Sequence, residues 1–127
     1  MNKTFEVQCR AEAGCLRAHV TGWVDTYEAT LAFFRKIAVE LRKVDVRRVL
    51  IVDETRGVVP TPDELERLAL ALKGEGFDGK RIAYVDVAAT AIARIEAGEI
   101  RARTHGYRFR VFDNEHLARI WLRYGRE

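Results

Sequence analysis

Residues 49–72 read VLIVDETRGVVPTPDELERLALAL, and the fold turns on how this stretch divides. Val49, Leu50, Ile51 and Val52 are four consecutive apolar residues. They mark a strand over residues 48–53 that is covered on both faces, the pattern of a parallel sheet. Residues 54–60 are charged or flexible and are expected to form a loop. Thr61-Pro62-Asp63-Glu64 then opens a helix. Thr61 with Glu64 matches the S/T-x-x-E capping box, and Pro62 suits the first helical position. Leu65, Leu68, Ala69 and Leu72 recur at helical spacing and give that helix an apolar face.

The same strand-then-helix unit recurs towards the C-terminus. Residues 81–86 carry another apolar run, Ile82, Ala83, Tyr84 and Val85, followed by an alanine-rich helical segment over residues 89–103. Gly98 weakens its middle by about 1 kcal/mol relative to alanine. Tyr107, Phe109 and Val111 alternate with Arg108 and Arg110 in a strand over residues 107–112. Asp113 or Asn114 caps a last helix with the stripe Leu117, Ile120, Trp121 and Tyr124. The glycine-rich residues 75–80 contain neither G-x-G-x-x-G nor G-x-x-x-x-G-K-[ST], so they read as a plain turn.

Towards the N-terminus, two alternating segments over residues 4–10 and 16–21 form a hairpin about residues 11–14. Phe5, Val7 and Cys9 share one face; Leu16, Ala18 and Val20 share the matching one. That pairs Cys9 with Leu16 and turns Cys15 to the other side. A one-residue slip would flip every side chain, so two reduced thiols are expected and a disulfide is not. Asp25, with Glu28 three residues on, is the expected cap of a first long helix ending near Lys43. Its stripe is Tyr27, Leu31, Phe34, Ala38 and Leu41, widened by Phe33 and Ile37. The order is β-β-α-β-α-β-α-β-α. This predicts an α/β fold with a mainly parallel five-stranded sheet, an N-terminal antiparallel hairpin strand, and helices packed on the sheet. If the crossovers share one hand, the helices cover one sheet face. The other then needs a terminal element or a second subunit.

The chain has 127 residues, a length that suits one domain over residues 1–127. It is 48% hydrophobic and 32% charged, so a core forms without metal or disulfide staples. Net charge is +3, with acids and bases interleaved and no long basic run, so nucleic acid is not an expected partner. The longest apolar run falls far short of the ~20 residues that cross a membrane. The first residues lack the apolar region of a secretory signal, and the expected location is the cytoplasm.

The ordered set Asp25-Thr26-Tyr27-Glu28, VLIVD, PTPDELERLA and VFDNEHLARIWL resembles the STAS domain. Within that family it is most similar to the SpoIIAA-like, or STAS/SEC14-like, branch of small bacterial proteins. The likeness spans nearly the whole chain. It implies a SpoIIAA-like fold and a non-enzymatic regulatory or protein-interaction module. In the family's partner-switching antagonists a serine begins the helix after the central strand and is phosphorylated. The matching segment here is Pro60-Thr61-Pro62-Asp63, and the chain contains no serine. That switch is therefore not carried over. Thr61 and Thr55 are the nearby hydroxyls, with capping as the favoured role of Thr61. The implied contact face comprises Thr55, Arg56, Val58, Val59, Thr61 and Asp63, for a protein partner or a second copy in a homodimer. The SEC14-like half of the likeness implies a small apolar or lipid ligand near Tyr27, Phe33 and Tyr84.

A third reading rests on Asp53 and Asp86. They end the two buried strands, where open α/β folds bind ligands. With Glu54 they suggest a Mg²⁺-dependent phosphoryl-transfer site. The favoured expectation is that both are solvated strand-end or cap residues. His19 is expected on the surface. His105 lies among Arg101, Arg103, Arg108 and Arg110 with no nucleophile–base set around it. The histidines and cysteines lack zinc spacing. No catalytic residue, metal or cofactor is assigned.

Overall fold

The structure, a computed structural model, describes residues 4–88 and 92–125. The elements follow the expected order: β1 (Phe5–Glu12), β2 (Cys15–Trp23), α1 (Tyr27–Leu41), β3 (Arg48–Arg56), α2 (Pro62–Ala71), β4 (Arg81–Asp86), α3 (Ile92–Thr104), β5 (Arg108–Phe112) and α4 (Glu115–Tyr124). The five strands lie in chain order across the sheet. β1 is antiparallel to β2, and every later pair is parallel. The beginning of the expected 89–103 helix, residues 89–91, lies outside the described residues.

The hairpin keeps its expected faces but shifts its register. Both strands run further into the turn, which shrinks to Ala13-Gly14, with Gly14 at φ 70°. Cys9 therefore pairs with Ala18, and Leu16 with Ala11. A two-residue shift leaves every side chain on its side of the sheet. Cys9 packs towards α1, while Cys15 joins the cluster on the opposite face.

β3 is longer than its apolar run. It continues through Glu54, Thr55 and Arg56 because β2 also runs on, pairing Val20 with Asp53 and Trp23 with Arg56. The expected 54–60 loop is thus half strand, and the true connection to α2 is short. Gly57 opens it at φ 129°. A Cβ there would lie 2.0 Å from the Val24 carbonyl oxygen, so only glycine lets the chain pass so close to the end of β2.

Caps set the helix starts. Thr26, not Asp25, caps α1, accepting from the Ala29 N–H at 3.0 Å. Asp25 instead accepts from the Trp23 indole N–H at 3.0 Å. The Thr61–Glu64 box forms as expected: Thr61 Oγ1 accepts from Glu64 N at 3.2 Å, and Glu64 Oε1 accepts from Thr61 N at 2.9 Å. Asn114 caps α4 through the Leu117 N–H at 2.8 Å.

Parallel neighbours joined by right-handed crossovers place their helices on one side of the sheet. α1, α2 and α3 accordingly share one core with Val49, Ile51, Ile82 and Tyr84. α4 crosses to the other side, where Ala118, Trp121 and Leu122 cover Leu50, Val52, Ala83 and Val85. A terminal element thus supplies the cover that the apolar far face requires. Its buried residues differ from the expected stripe. Trp121 is buried, but Leu117, Ile120 and Tyr124 face solvent. Beyond α4 the far face turns polar, with Glu6, Gln8 and Arg10 on β1 and Arg17, His19 and Thr21 on β2.

Candidate functional site

Strand alternation decides what faces α1–α3. On β3 the inward series is Val49, Ile51, Asp53 and Thr55; on β4 it is Ile82, Tyr84 and Asp86. Each series begins apolar and ends polar. At that polar end the helices do not close on the sheet, and a cavity of about 330 Å³ remains. Its apolar wall includes Phe33 and Phe34 of α1, Leu65 and Leu68 of α2, and Phe77 after α2. Residues 57–60 form part of its rim. The volume sits at the lower end of the ~300–1,000 Å³ range of small-molecule sites, and the lining has their usual character, apolar with a few convergent polar groups.

Aromatic rings brace the polar end. Phe33 stacks on Phe34 at 4.7 Å between centroids, and Phe34 lies parallel to Tyr84 at 6.1 Å. The Tyr84 ring meets Phe109 of β5 at 5.8 Å. Burial, and then the neighbouring Asp53 carboxyl, push the Tyr84 hydroxyl well above its ordinary pKa, so it stays a donor. It donates to Asp53 Oδ2. Thr55 supplies both its N–H, at 2.8 Å, and its hydroxyl, at 2.6 Å, to Asp53 Oδ1. Asp86 pairs in register with Asp53 on the adjacent strand and is 8% exposed. The expectation of solvated carboxyls is therefore corrected for Asp86. The inward pleat and the overlying helices bury Asp86, and Asp53 is half-buried.

The sequence-derived candidates divide. Phe33 and Tyr84 line the cavity, as do Asp53, Asp86, Thr55, Arg56, Val58 and Val59. Tyr27 does not; its buried ring lies beneath the Arg67 guanidinium, 4.3 Å from the centroid. The two valines part company: Val59 packs back on the core, while Val58 is 64% exposed. Thr61 and Asp63 are exposed at the start of α2. Thr61 is engaged in its cap, and the Thr55 hydroxyl is held by Asp53.

Sequence reasoning missed Thr30, Phe34, Phe77 and Tyr107 as wall residues, along with the α2–α3 part of the wall. One signal was legible. Gly98 sits mid-helix, and a Cβ there would come within 3.0 Å of Leu65 Cδ1, so glycine permits α3 to approach α2 at this wall. Tyr107 closes the far end by donating to the Ala69 carbonyl at 2.7 Å. Burial raises its hydroxyl pKa to about 12, with Asp78 and Glu75 adding to the shift.

The remaining chemistry-bearing residues are engaged elsewhere. His19 Nε2 lies 2.5 Å from Glu54 Oε1 on the far face, and His105 Nε2 lies 3.2 Å from Glu66 Oε1. Arg101 donates to the Ala97 carbonyl at 3.3 Å, and Arg103 lies 3.6 Å from Glu99. Among the described residues no three of His, Cys, Asp and Glu gather as a metal site. No helix in that part of the chain is long and apolar enough to cross a membrane. The fold and site thus define an α/β protein with an amphipathic cavity between sheet and helices at the C-terminal ends of its central strands. No protein-family model and no curated protein matches the chain.

Proposed function

We propose that this chain is a non-enzymatic binding module of the STAS/SEC14-like kind that holds one small, mainly apolar ligand between its sheet and α1–α3. The observation that carries this reading is the cavity itself. About 330 Å³ stays unfilled beneath three helices, where protein interiors are ordinarily close-packed. The cavity also lies where parallel α/β sheets place ligands, beyond the carboxyl ends of the strands.

A regulatory role is the second reading, and it is compatible with the first. Residues 57–60 form the cavity rim and also present Val58, 64% exposed, to the outside. A ligand beneath the rim would alter the surface a protein partner meets, without a phosphorylated serine.

Native mass spectrometry of protein purified from cells tests the binding reading, alongside titration with an apolar fluorescent probe. The wild type is expected to carry a small-molecule mass or to bind the probe at one site. Ala102→Leu, which fills the cavity from α3, is expected to lose both while keeping its fold. A bare chain that also ignores the probe would overturn the reading.

A further inference from the structure

The hydrogen bonds lining the cavity are unequally committed, and the imbalance selects a ligand chemistry. Four hydroxyl side chains line it among the described residues: Thr30, Thr55, Tyr84 and Tyr107. Each already directs its hydrogen to a protein oxygen. Thr30 donates to the Thr26 carbonyl at 3.2 Å, and Tyr107 to the Ala69 carbonyl at 2.7 Å. Thr55 and Tyr84 both donate to Asp53. A hydroxyl carries one hydrogen and two lone pairs, so what these groups retain is acceptor capacity.

The charged groups point the same way. Asp53 and Asp86 stand side by side on β3 and β4 and line the cavity together. Among the described residues the one cation in the wall is Arg56, which is exposed and sits out of phase with Asp53 and Thr55 along β3. An anionic head entering this end would meet two acidic groups and hydroxyls whose hydrogens are directed elsewhere. A head that brings its own N–H groups would find acceptors on both strands. Desolvation by the surrounding apolar wall strengthens that discrimination.

We propose that the ligand is a small apolar amine, bound with its nitrogen against Asp53 and Asp86 and its hydrocarbon body among Phe33, Phe34, Leu65 and Leu68. This rests on the binding reading above and narrows it to one chemical class. Tyr84 and Thr55 act as positioning residues. By fixing Asp53 from both of its oxygens they hold it in place for the ligand.

Three matched probes test the proposal at neutral pH on the full wild-type chain: octylamine, octanol and octanoate. They share a body and differ in head. Isothermal titration and competition with the apolar fluorescent probe give their affinities, and Ala102→Leu shows whether each occupies the cavity. Octylamine is expected to bind at least about tenfold tighter than octanoate, with octanol between them. Asp86→Asn is expected to shrink the amine's advantage over octanol by at least about threefold. The ranking among probes needs no variant to fold. Octanoate binding as tightly as octylamine would overturn the amine proposal and leave the cavity reading standing. Failure of every probe to bind would overturn both.

Discussion

The two faces of the sheet are built to different specifications. On one, α4 alone lays Ala118, Trp121 and Leu122 onto four strand residues, Leu50, Val52, Ala83 and Val85. A chain of ion pairs helps to pin it: Arg17 grips Glu115 through two hydrogen bonds at 3.0 Å, Arg119 bridges Glu115 and Glu12, and Arg10 completes the line at Glu12. On the other, three helices and several large aromatic rings leave about 330 Å³ unfilled. More helices and more aromatic rings accompany the looser face. The lesson is that helices spaced by parallel crossovers are tied to the strands they connect and cannot all close on one point. α4 packs on the opposite face, apart from those three helices.

Trp121→Ala should draw the contrast most sharply. It removes the largest side chain of the tight face, which also stacks with the Arg81 guanidinium 4.7 Å from its ring. The expected loss is about 3–5 kcal/mol, read as a lower urea midpoint. Leu68→Ala on the cavity face should cost less, about 2 kcal/mol, because that side chain already borders empty space. Equal losses at the two sites would mean that the cavity face packs as tightly as the other.

The ion pairs give a smaller and pH-dependent effect. The Arg17 hydrogen bond first, and then Arg119, hold the Glu115 carboxyl at about 2, below its ordinary 4.5, against a partial burial that opposes them. A carboxyl depressed in the folded state contributes stability that is present above its unfolded value. That contribution is lost as pH falls through the folded one. Wild-type stability should therefore decline between about pH 4.5 and about pH 2 more steeply than that of Glu115→Gln. At neutral pH the variant should be less stable by about 1 kcal/mol, since the pair is partly solvated. Urea midpoints measured across that pH range check both statements. The smallest effect is expected at the cavity's outer edge. Thr61→Ala removes half of the capping box and should cost about 0.5 kcal/mol. Ligand-probe affinity should stay unchanged, because Thr61 is no part of the wall. A change in probe affinity without loss of stability would give this threonine a role beyond the cap.

Much of the fold was legible because its signals are local. The run Val49–Val52 announces a doubly covered strand, and the Thr61–Glu64 spacing announces a helix start. Errors of extent arose where a partner strand decides. Glu54, Thr55 and Arg56 look like loop, yet they pair with Thr21, Gly22 and Trp23 because β2 is there to receive them. The candidate site was half legible. Asp53, Asp86 and Tyr84 could be placed at strand ends from pattern alone. That Asp86 is buried, that Thr55 and Tyr84 both serve Asp53, and that a cavity opens beside them depend on how far three helices stand from the sheet.

The last helix shows where the boundary falls. Leu117, Ile120, Trp121 and Tyr124 recur at helical spacing, and so do Ala118, Trp121 and Leu122. The sequence by itself determined that α4 would be an amphipathic helix, that the strands would alternate with helices, and that the central strands would be covered on both sides. Only the tertiary structure decided that Ala118, Trp121 and Leu122 turn inward while Leu117, Ile120 and Tyr124 remain in solvent. Apolar burial is non-directional: periodicity identifies a face worth covering, but the shape of the surface opposite it selects which residues fit. On α4 that surface is the patch of Leu50, Val52, Ala83 and Val85, which Ala118, Trp121 and Leu122 cover.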